Sequence, residues 1–273
     1  MKNIFLIISV IFIVLSANAQ SYSADFTKAL RENDIQKQKN IITAWQQSSD
    51  RSADYYISVF NYYLTGSLDA TQHKVDIETL NKSLSLINEG IEKYPNRLDM
   101  RLGELEAMQY LGLWDDATQK MISAIDYSYI IDNKWIYPDE NADKDFFLGN
   151  MQQKILKLFD EVDFETLDNS DIKQLNRIQT ICSEMLRYYP NSVEALDDMG
   201  ATYFYMQDNQ KALEYFQKAE QIAPKDAVTL FNIANIYKIE GNKEKAKLYY
   251  ENIIKNCDPD AANQANILLK ELQ

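Results

Sequence analysis

Few residues in this chain are of types that do chemistry. The only histidine, His73, sits in the polar stretch "SLDATQHKVD", and the only cysteines are Cys182 and Cys257. Nucleophilic catalysis needs a base held beside a serine or cysteine. Nothing in the spacing puts His73 beside one, so it reads as an exposed loop histidine. One histidine and two distant cysteines also match no zinc pattern. Asp139, Asn141, Asp143 and Asp145 alternate in "DENADKDFFLGN", which is how a helix-loop-helix calcium site begins. Lys144 occupies the place of the turn glycine, Asn150 replaces the closing glutamate, and Pro138 interrupts the preceding helix. The stretch therefore reads as a solvated acidic insertion, with calcium as the alternative, and no metal site is assigned. The pairs Asp115-Asp116 and Asp197-Asp198 are sequence neighbours, which point in different directions on a helix, and they read as solvated helix faces. There is no glycine loop to cradle phosphate. No catalytic residue and no cofactor are expected. An enzyme would have to build its site on 126–170, which offers no nucleophile–base pair.

The elements behind these residues are helical. Seven glycines and five prolines in 273 residues are few against average usage of roughly 5–7% each, so long helices with short connections are expected. The start, "MKNIFLIISVIFIVLSANA", has a lysine, an apolar run and a small-x-small site, the pattern of a secretory signal peptide cleaved after Ala19. Its apolar run is too short for the ~20 residues that span a bilayer. The rest is expected to form a single helical domain over 20–273, exported to the periplasm or secreted. With the many Ile, Lys, Asn and Tyr residues, this points to a bacterial protein. A net charge of −13 disfavours nucleic acid and anionic lipid as partners.

The chain repeats itself. Leu196, Met199, Gly200 and Tyr203 mark one helix face, and Ala212, Phe216 and Ala219 mark the next. Gln207-Asp208-Asn209 forms a turn between them, and Pro224 ends the unit. A shift of 34 residues gives Leu230, Ile233, Ala234 and Tyr237, then Ala246, Tyr250 and Ile253, with Gly241-Asn242-Lys243 as the turn. These positions resemble the tetratricopeptide repeat (TPR) family. The best-matched repeats are 191–224 and 225–258, followed by a capping helix over 259–272 that starts at Asp258-Pro259. The fold expected is all-α, a right-handed α-solenoid of stacked helix-turn-helix hairpins. Small residues let helices approach, large aromatics fill the gaps, and neighbouring hairpins must stack to bury their apolar faces.

Upstream, Gly112 to Ala117 with Met121 and Ala124 repeats the turn and second helix. In the first helix of that unit, Arg101 and Glu104 fall where Leu196 and Met199 fall later. Tyr55, Val59, Tyr62 and Gly66, then Leu80, Leu84, Ile87 and Ile91, describe an earlier hairpin. Before it, two short helices turn Ile41, Ile42 and Trp45 inward. The tripeptide Tyr-Pro-Asn occurs at 94–96 and 189–191 as punctuation between hairpins, and the interval holds two repeats plus about 27 residues. That surplus falls on an aromatic, acidic insertion at about 127–150. Cys182 and Cys257 belong to units two repeats apart, too far for the ~7 Å a disulfide allows, and Cys182 reads as core.

The family resemblance implies a protein- or peptide-binding scaffold or adaptor whose groove is lined by the first helices. The positions one residue off the packing face are Glu194, Asp197, Ala201, Phe204 and Tyr205, then Phe231, Asn235 and Lys238. Some members of the family clamp a terminal carboxylate with lysine, arginine and asparagine. Glu194 and Asp197 are acids instead, so a basic or aromatic-bearing segment fits this groove better. A structural subunit of a secretion or uptake assembly in the cell envelope is the alternative.

Overall fold

The computed structural model describes residues 21–69, 74–138 and 140–272. The leader, His73 and Asp139 lie outside them. Thirteen α-helices and two very small antiparallel hairpins are found among the described residues. The chain is all-α, and it divides into two compact units, Met1–Asn150 and Met151–Gln273.

The first unit holds α1 (Ser21–Arg31), α2 (Ile35–Gln47), α3 (Ala53–Gly66), α4 (Ile77–Lys93), α5 (Leu98–Tyr110), α6 (Trp114–Ile130) and the start of α7 (Lys144–Phe159). Strands β1 (Leu68–Asp69) and β2 (Lys74–Val75) pair after α3, and β3 (Trp135–Ile136) pairs with β4 (Asn141–Ala142) after α6. The second unit holds the rest of α7, then α8 (Asn169–Tyr188), α9 (Val193–Tyr205), α10 (Asn209–Ile222), α11 (Ala227–Ile239), α12 (Lys243–Asn256) and α13 (Pro259–Glu271). In the second unit, α8 to α13 each pack chiefly on the helices next to them in sequence, which is how a stack of hairpins buries its apolar faces.

Two kinds of turn punctuate the helices. Inside hairpins the chain turns through a left-handed residue: Asn33, Gly112, Gln207 and Gly241 all have positive φ, as does Asp132 at the end of α6. The next N–H then bonds back to a carbonyl five residues earlier, as from Asp208 to Tyr203 at 2.9 Å and from Asn242 to Tyr237 at 2.8 Å. Between hairpins the turn is different. Tyr94, Tyr189 and Ala223 each precede a proline and cap a helix with nearly the same dihedrals, −127°/64°, −126°/66° and −127°/75°. Each carbonyl then accepts the N–H three residues on, from Arg97, Ser192 and Asp226, all at 3.0 Å. A residue before proline is biased away from helical angles, so the helix stops there. Ser192 and Asp226 then cap the next helix with their side chains. Tyr-Pro-Asn and the Ala223-Pro224 pair are thus the same junction.

The first unit is built on Trp45, Tyr55, Tyr56, Phe60 and Ile87, with Ile42 buried and Ile41 partly so. Gly90 lets α4 approach α3, since a Cβ there would lie 2.7 Å from Tyr56 Cβ. Arg101 and Glu104, where the later repeat has apolar residues, are not solvated. Glu104 is buried and pairs with Lys120 at 2.8 Å. The Arg101 guanidinium sits 4.8 Å from the Tyr127 ring and 5.6 Å from that of Trp135. It also donates to the Pro95 carbonyl at 3.3 Å, and burial pulls its pKa down. Beside it, Arg97 and Asp99 form a buried bidentate pair at 2.9 and 2.6 Å. Desolvation still raises the Asp99 pKa above its usual value.

The 127–150 segment is not a purely solvated loop. Trp135 is fully buried, stacks on Phe147 at 5.4 Å and donates its indole N–H to Ser128 Oγ at 2.8 Å. Ile136 N–H bonds the Asn96 carbonyl at 2.9 Å, so β3 is tied to the first Tyr-Pro-Asn turn. Asn141, Asp143 and Asp145 stay exposed. Asn141 and Asp143 line a shallow pocket of about 510 Å³ that also includes Asp132, Asn133, Lys134 and Lys144. Among the described residues no three carboxylate, histidine or cysteine groups converge as a metal cage.

Candidate functional site

The candidate groove belongs to α9 and α11 in the second unit. Gly200 sets the packing beneath it: a Cβ there would lie 2.6 to 2.8 Å from three ring atoms of Phe216, so α9 and α10 touch more closely than any side chain would allow. Ala212, Phe216, Leu230, Ile233, Ala234 and Tyr250 form the core under both helices.

The predicted groove residues do not all stand alike. Glu194 and Asn235 are exposed. Ala201, Phe204 and Phe231 are half-buried and rest on the same core. Phe204 meets Tyr205 edge-on at 5.4 Å, and Phe231 lies 6.3 Å from Tyr250. Lys238 is turned toward α13, where it pairs with Glu271 at 3.1 Å. Asp197 is only 9% exposed and lies between repeats. It accepts from the Thr229 hydroxyl of α11 at 2.8 and 3.0 Å.

The solvated-face reading of Asp197-Asp198 is therefore corrected. A first helix inside a stack has two buried flanks, one against the hairpin before and one against the hairpin after. Asp197 meets the later flank. Asp198, turned ~100° further round the helix, meets the earlier one, with Cys182 Sγ at 4.0 Å and a hydrogen bond from Gln152. Burial, then repulsion from Asp226 and Glu194, pushes the Asp197 pKa up to about 7 against the opposing Thr229 bond. Burial pushes Asp198 to about 7 as well. Asp115 and Asp116 are exposed, as expected.

Three contributors were not singled out from the sequence. Phe164, in the loop after α7, packs against Tyr205 at a tilt, with ring centroids 4.0 Å apart, and adds a further ring beside Phe204 and Tyr205. Asp226 caps α11, and Thr229 sits 34 residues after Ala195, so a hydroxyl at a small packing position was the available signal. Cys182 is fully buried and burial raises its thiol pKa. Cys257 is half-buried with its S–H toward the Lys225 carbonyl at 3.3 Å, and both are free thiols. Chemically, the strip offers aromatic faces, one amide and one exposed carboxylate, the means of gripping a polypeptide.

Residues 193–226 and 227–257 match tetratricopeptide repeat family models. This segment resembles two consecutive tetratricopeptide repeats. Several solved structures are similar at low identity. A thermophilic TPR protein of Thermus thermophilus is 11% identical, with a TM-score of 0.44 over 78% of this chain and 98% of that one. A tetratricopeptide repeat protein from Parabacteroides merdae is 12% identical, with a TM-score of 0.33 over 92% and 97% of the two chains. The complex of the TPR2AB domain of yeast Sti1 with pHSP90 is 12% identical, with a TM-score of 0.33 over 92% and 96%. No curated protein matches the chain. Among the described residues no helix is long and apolar enough to cross a membrane.

Proposed function

We propose that this chain is a non-catalytic protein-binding scaffold whose tandem repeats receive an extended or helical segment of a partner along α9 and α11. The observation that carries the reading is the aromatic strip of Phe164, Tyr205, Phe204 and Phe231. Phe204 and Phe231 are half-exposed at the edge of a core that is already filled, and Tyr205 and Phe164 continue outward from Phe204. Partly buried aromatics on rigid helices are the anchors from which binding surfaces are built. Exposed Glu194 and the net charge of −13 favour a partner segment with basic or aromatic side chains. Glu194, Ala201, Phe204, Tyr205, Phe231 and Asn235 would meet the partner. Asp197 and Lys238, held by Thr229 and Glu271, would shape the groove from within. The leader-like start supports an exported bacterial protein, periplasmic or secreted, that works as one helical domain over 20–273.

The test is capture from a cell-envelope extract with the wild-type chain and with a Phe204→Ala/Phe231→Ala variant whose helicity is unchanged by circular dichroism. Species retained by wild type and lost by the variant support the groove. Identical profiles would show that binding, if any, lies elsewhere. A stoichiometric membrane complex insensitive to the variant would make the chain an assembly subunit.

A further inference from the structure

Buried Asp197 and the half-buried cap residue Asp226 both lie within reach of one hydroxyl, that of Thr229. The Thr229 hydroxyl oxygen lies 3.0 and 2.8 Å from the two carboxylate oxygens of Asp197 and 3.2 Å from Oδ1 of Asp226. A hydroxyl carries a single hydrogen. Asp226 Oδ1 also accepts the Thr229 backbone N–H at 2.9 Å as the cap of α11. At the start of α11 Asp226 thus has a backbone donor of its own, which Asp197 lacks on this side. An ionised Asp197 would have the Thr229 hydroxyl as its one side-chain donor, in a site where Asp197 is 9% exposed and Thr229 is fully buried.

The surroundings supply no cation. On α9, Glu194 lies one turn before Asp197, and Asp198 follows it. The cap of α11 brings Asp226. Against the same helix, α10 presents Ala212, Phe216 and Ala219. On the other side, α8 presents Cys182 to Asp198 and Gln179 to Thr202. Among the described residues no lysine or arginine pairs with Asp197, and its charged neighbours are acids.

We propose that Asp197 holds a proton in the folded repeat tandem, and that losing it loosens the joint between α9 and α11. With the proton in place, Asp197 donates to Thr229 Oγ1, and Thr229 donates to Asp226. Both side chains then keep a hydrogen bond through Thr229, and no buried charge is left at Asp197. The direction of the Asp197 pKa agrees with this arrangement. The joint concerns the two repeats themselves, whatever binds to them.

The consequence is a pH-dependent stability of definite sign. Below about 4 the carboxyl is protonated in folded and unfolded chains alike. Between there and about 7 only the folded chain holds the proton, so stability falls as the pH rises. Above that value the fall is complete. One retained proton raises the unfolding constant up to about tenfold per pH unit inside this window.

The experiment is urea unfolding of the full chain from pH 5 to 8.5 for wild type, Asp197→Asn and Asp226→Asn. Asp197→Asn is expected to lower the slope by up to one proton, leaving the contribution of Asp198. Asp226→Asn keeps a capping side chain and frees the Thr229 hydrogen for Asp197, so the window should move to lower pH. A wild-type slope identical to that of Asp197→Asn, or an unmoved window in Asp226→Asn, overturns the proposal. Carboxyl carbon-13 titration of the wild-type chain, read by nuclear magnetic resonance, applies even if a variant fails to fold. It should show two carboxyls titrating near neutral pH, and an Asp197 midpoint below pH 5 overturns the proposal.

Discussion

Gly200→Ala measures how tightly the repeat is closed. An added Cβ would meet Phe216 at 2.6 Å from Cε1, 2.7 Å from Cδ1 and 2.8 Å from Cζ. Ordinary carbon contacts are ~3.5–4.0 Å, so the overlap approaches an ångström across the face of one ring. Phe216 is 1% exposed, so its ring has no solvent to move into. Overpacking of this kind costs about 1–3 kcal/mol. With the ring enclosed the overlap costs the upper half of that range; alanine recovers about 1 kcal/mol of helix propensity, and a net loss of about 1–2 kcal/mol is expected. Gly149→Ala is the control. Gly149 is exposed within α7, and a Cβ there meets nothing within 4 Å. Only the propensity acts, so a gain of about 0.5–1 kcal/mol is expected. Urea unfolding followed by far-ultraviolet circular dichroism gives both values, with the m-value as a check on compactness. If Gly200→Ala is as stable as wild type, the α9–α10 contact is looser than described and the reasoning fails.

Other outcomes follow from the same geometry. Gln207 sits at φ 64° where Gly112 and Gly241 serve in equivalent turns, so Gln207→Gly should raise stability by about 0.5–1 kcal/mol in thermal melts. Trp135→Ala removes a fully buried ring and its bond to Ser128. A loss of about 3–5 kcal/mol is expected, and an unchanged midpoint would show that the 127–150 segment does not pack. Lys120→Met strips the buried Glu104 of its close cation. A loss of about 2 kcal/mol in urea unfolding is expected, below the ~3–5 kcal/mol of fully buried pairs because Lys120 is partly exposed. Bonds from the backbone hold the cap residues Asp208 and Asp258 below the usual carboxylate pKa. Their stabilisation is present above about pH 4 and is lost as the pH falls through their folded values. Together with Asp197 and Asp198, which act in the opposite direction, this should place the maximum of Tm against pH on the mildly acidic side, measurable by calorimetry.

The repeat was legible because its signals are redundant. Leu196, Gly200, Tyr203, Ala212 and Phe216 recur at a fixed spacing, and caps and prolines fall where the helices end. Less redundant features were missed. A two-residue strand such as Trp135–Ile136 is too short to show alternation, and the partners of Trp135 are set by Arg101, Tyr127 and Phe147 on three different helices. Arg101 and Glu104 registered as departures from the pattern, but that they pair and bury depends on Lys120 and the tyrosine above them. Asp197 and Asp198 failed for a more general reason. A charge one residue off an apolar stripe is solvated on a helix with one buried face, but not on a helix with a neighbour on each side. Chemical type suggests exposure, and only the stacking reveals that both flanks are closed.

The three proline junctions carry a further meaning. Tyr94, Tyr189 and Ala223 end their helices at almost the same dihedral angles, and each closes with the same 3.0 Å bond. They are interchangeable couplings, so whole hairpins can be spliced at these points as wagons are at matching buffers. Excising 191–224 would join Pro190 to Lys225 across an unaltered junction and leave α11 with its own cap, Asp226. A chain assembled this way can lengthen or shorten its array by duplication or deletion while every remaining unit keeps the geometry at its ends.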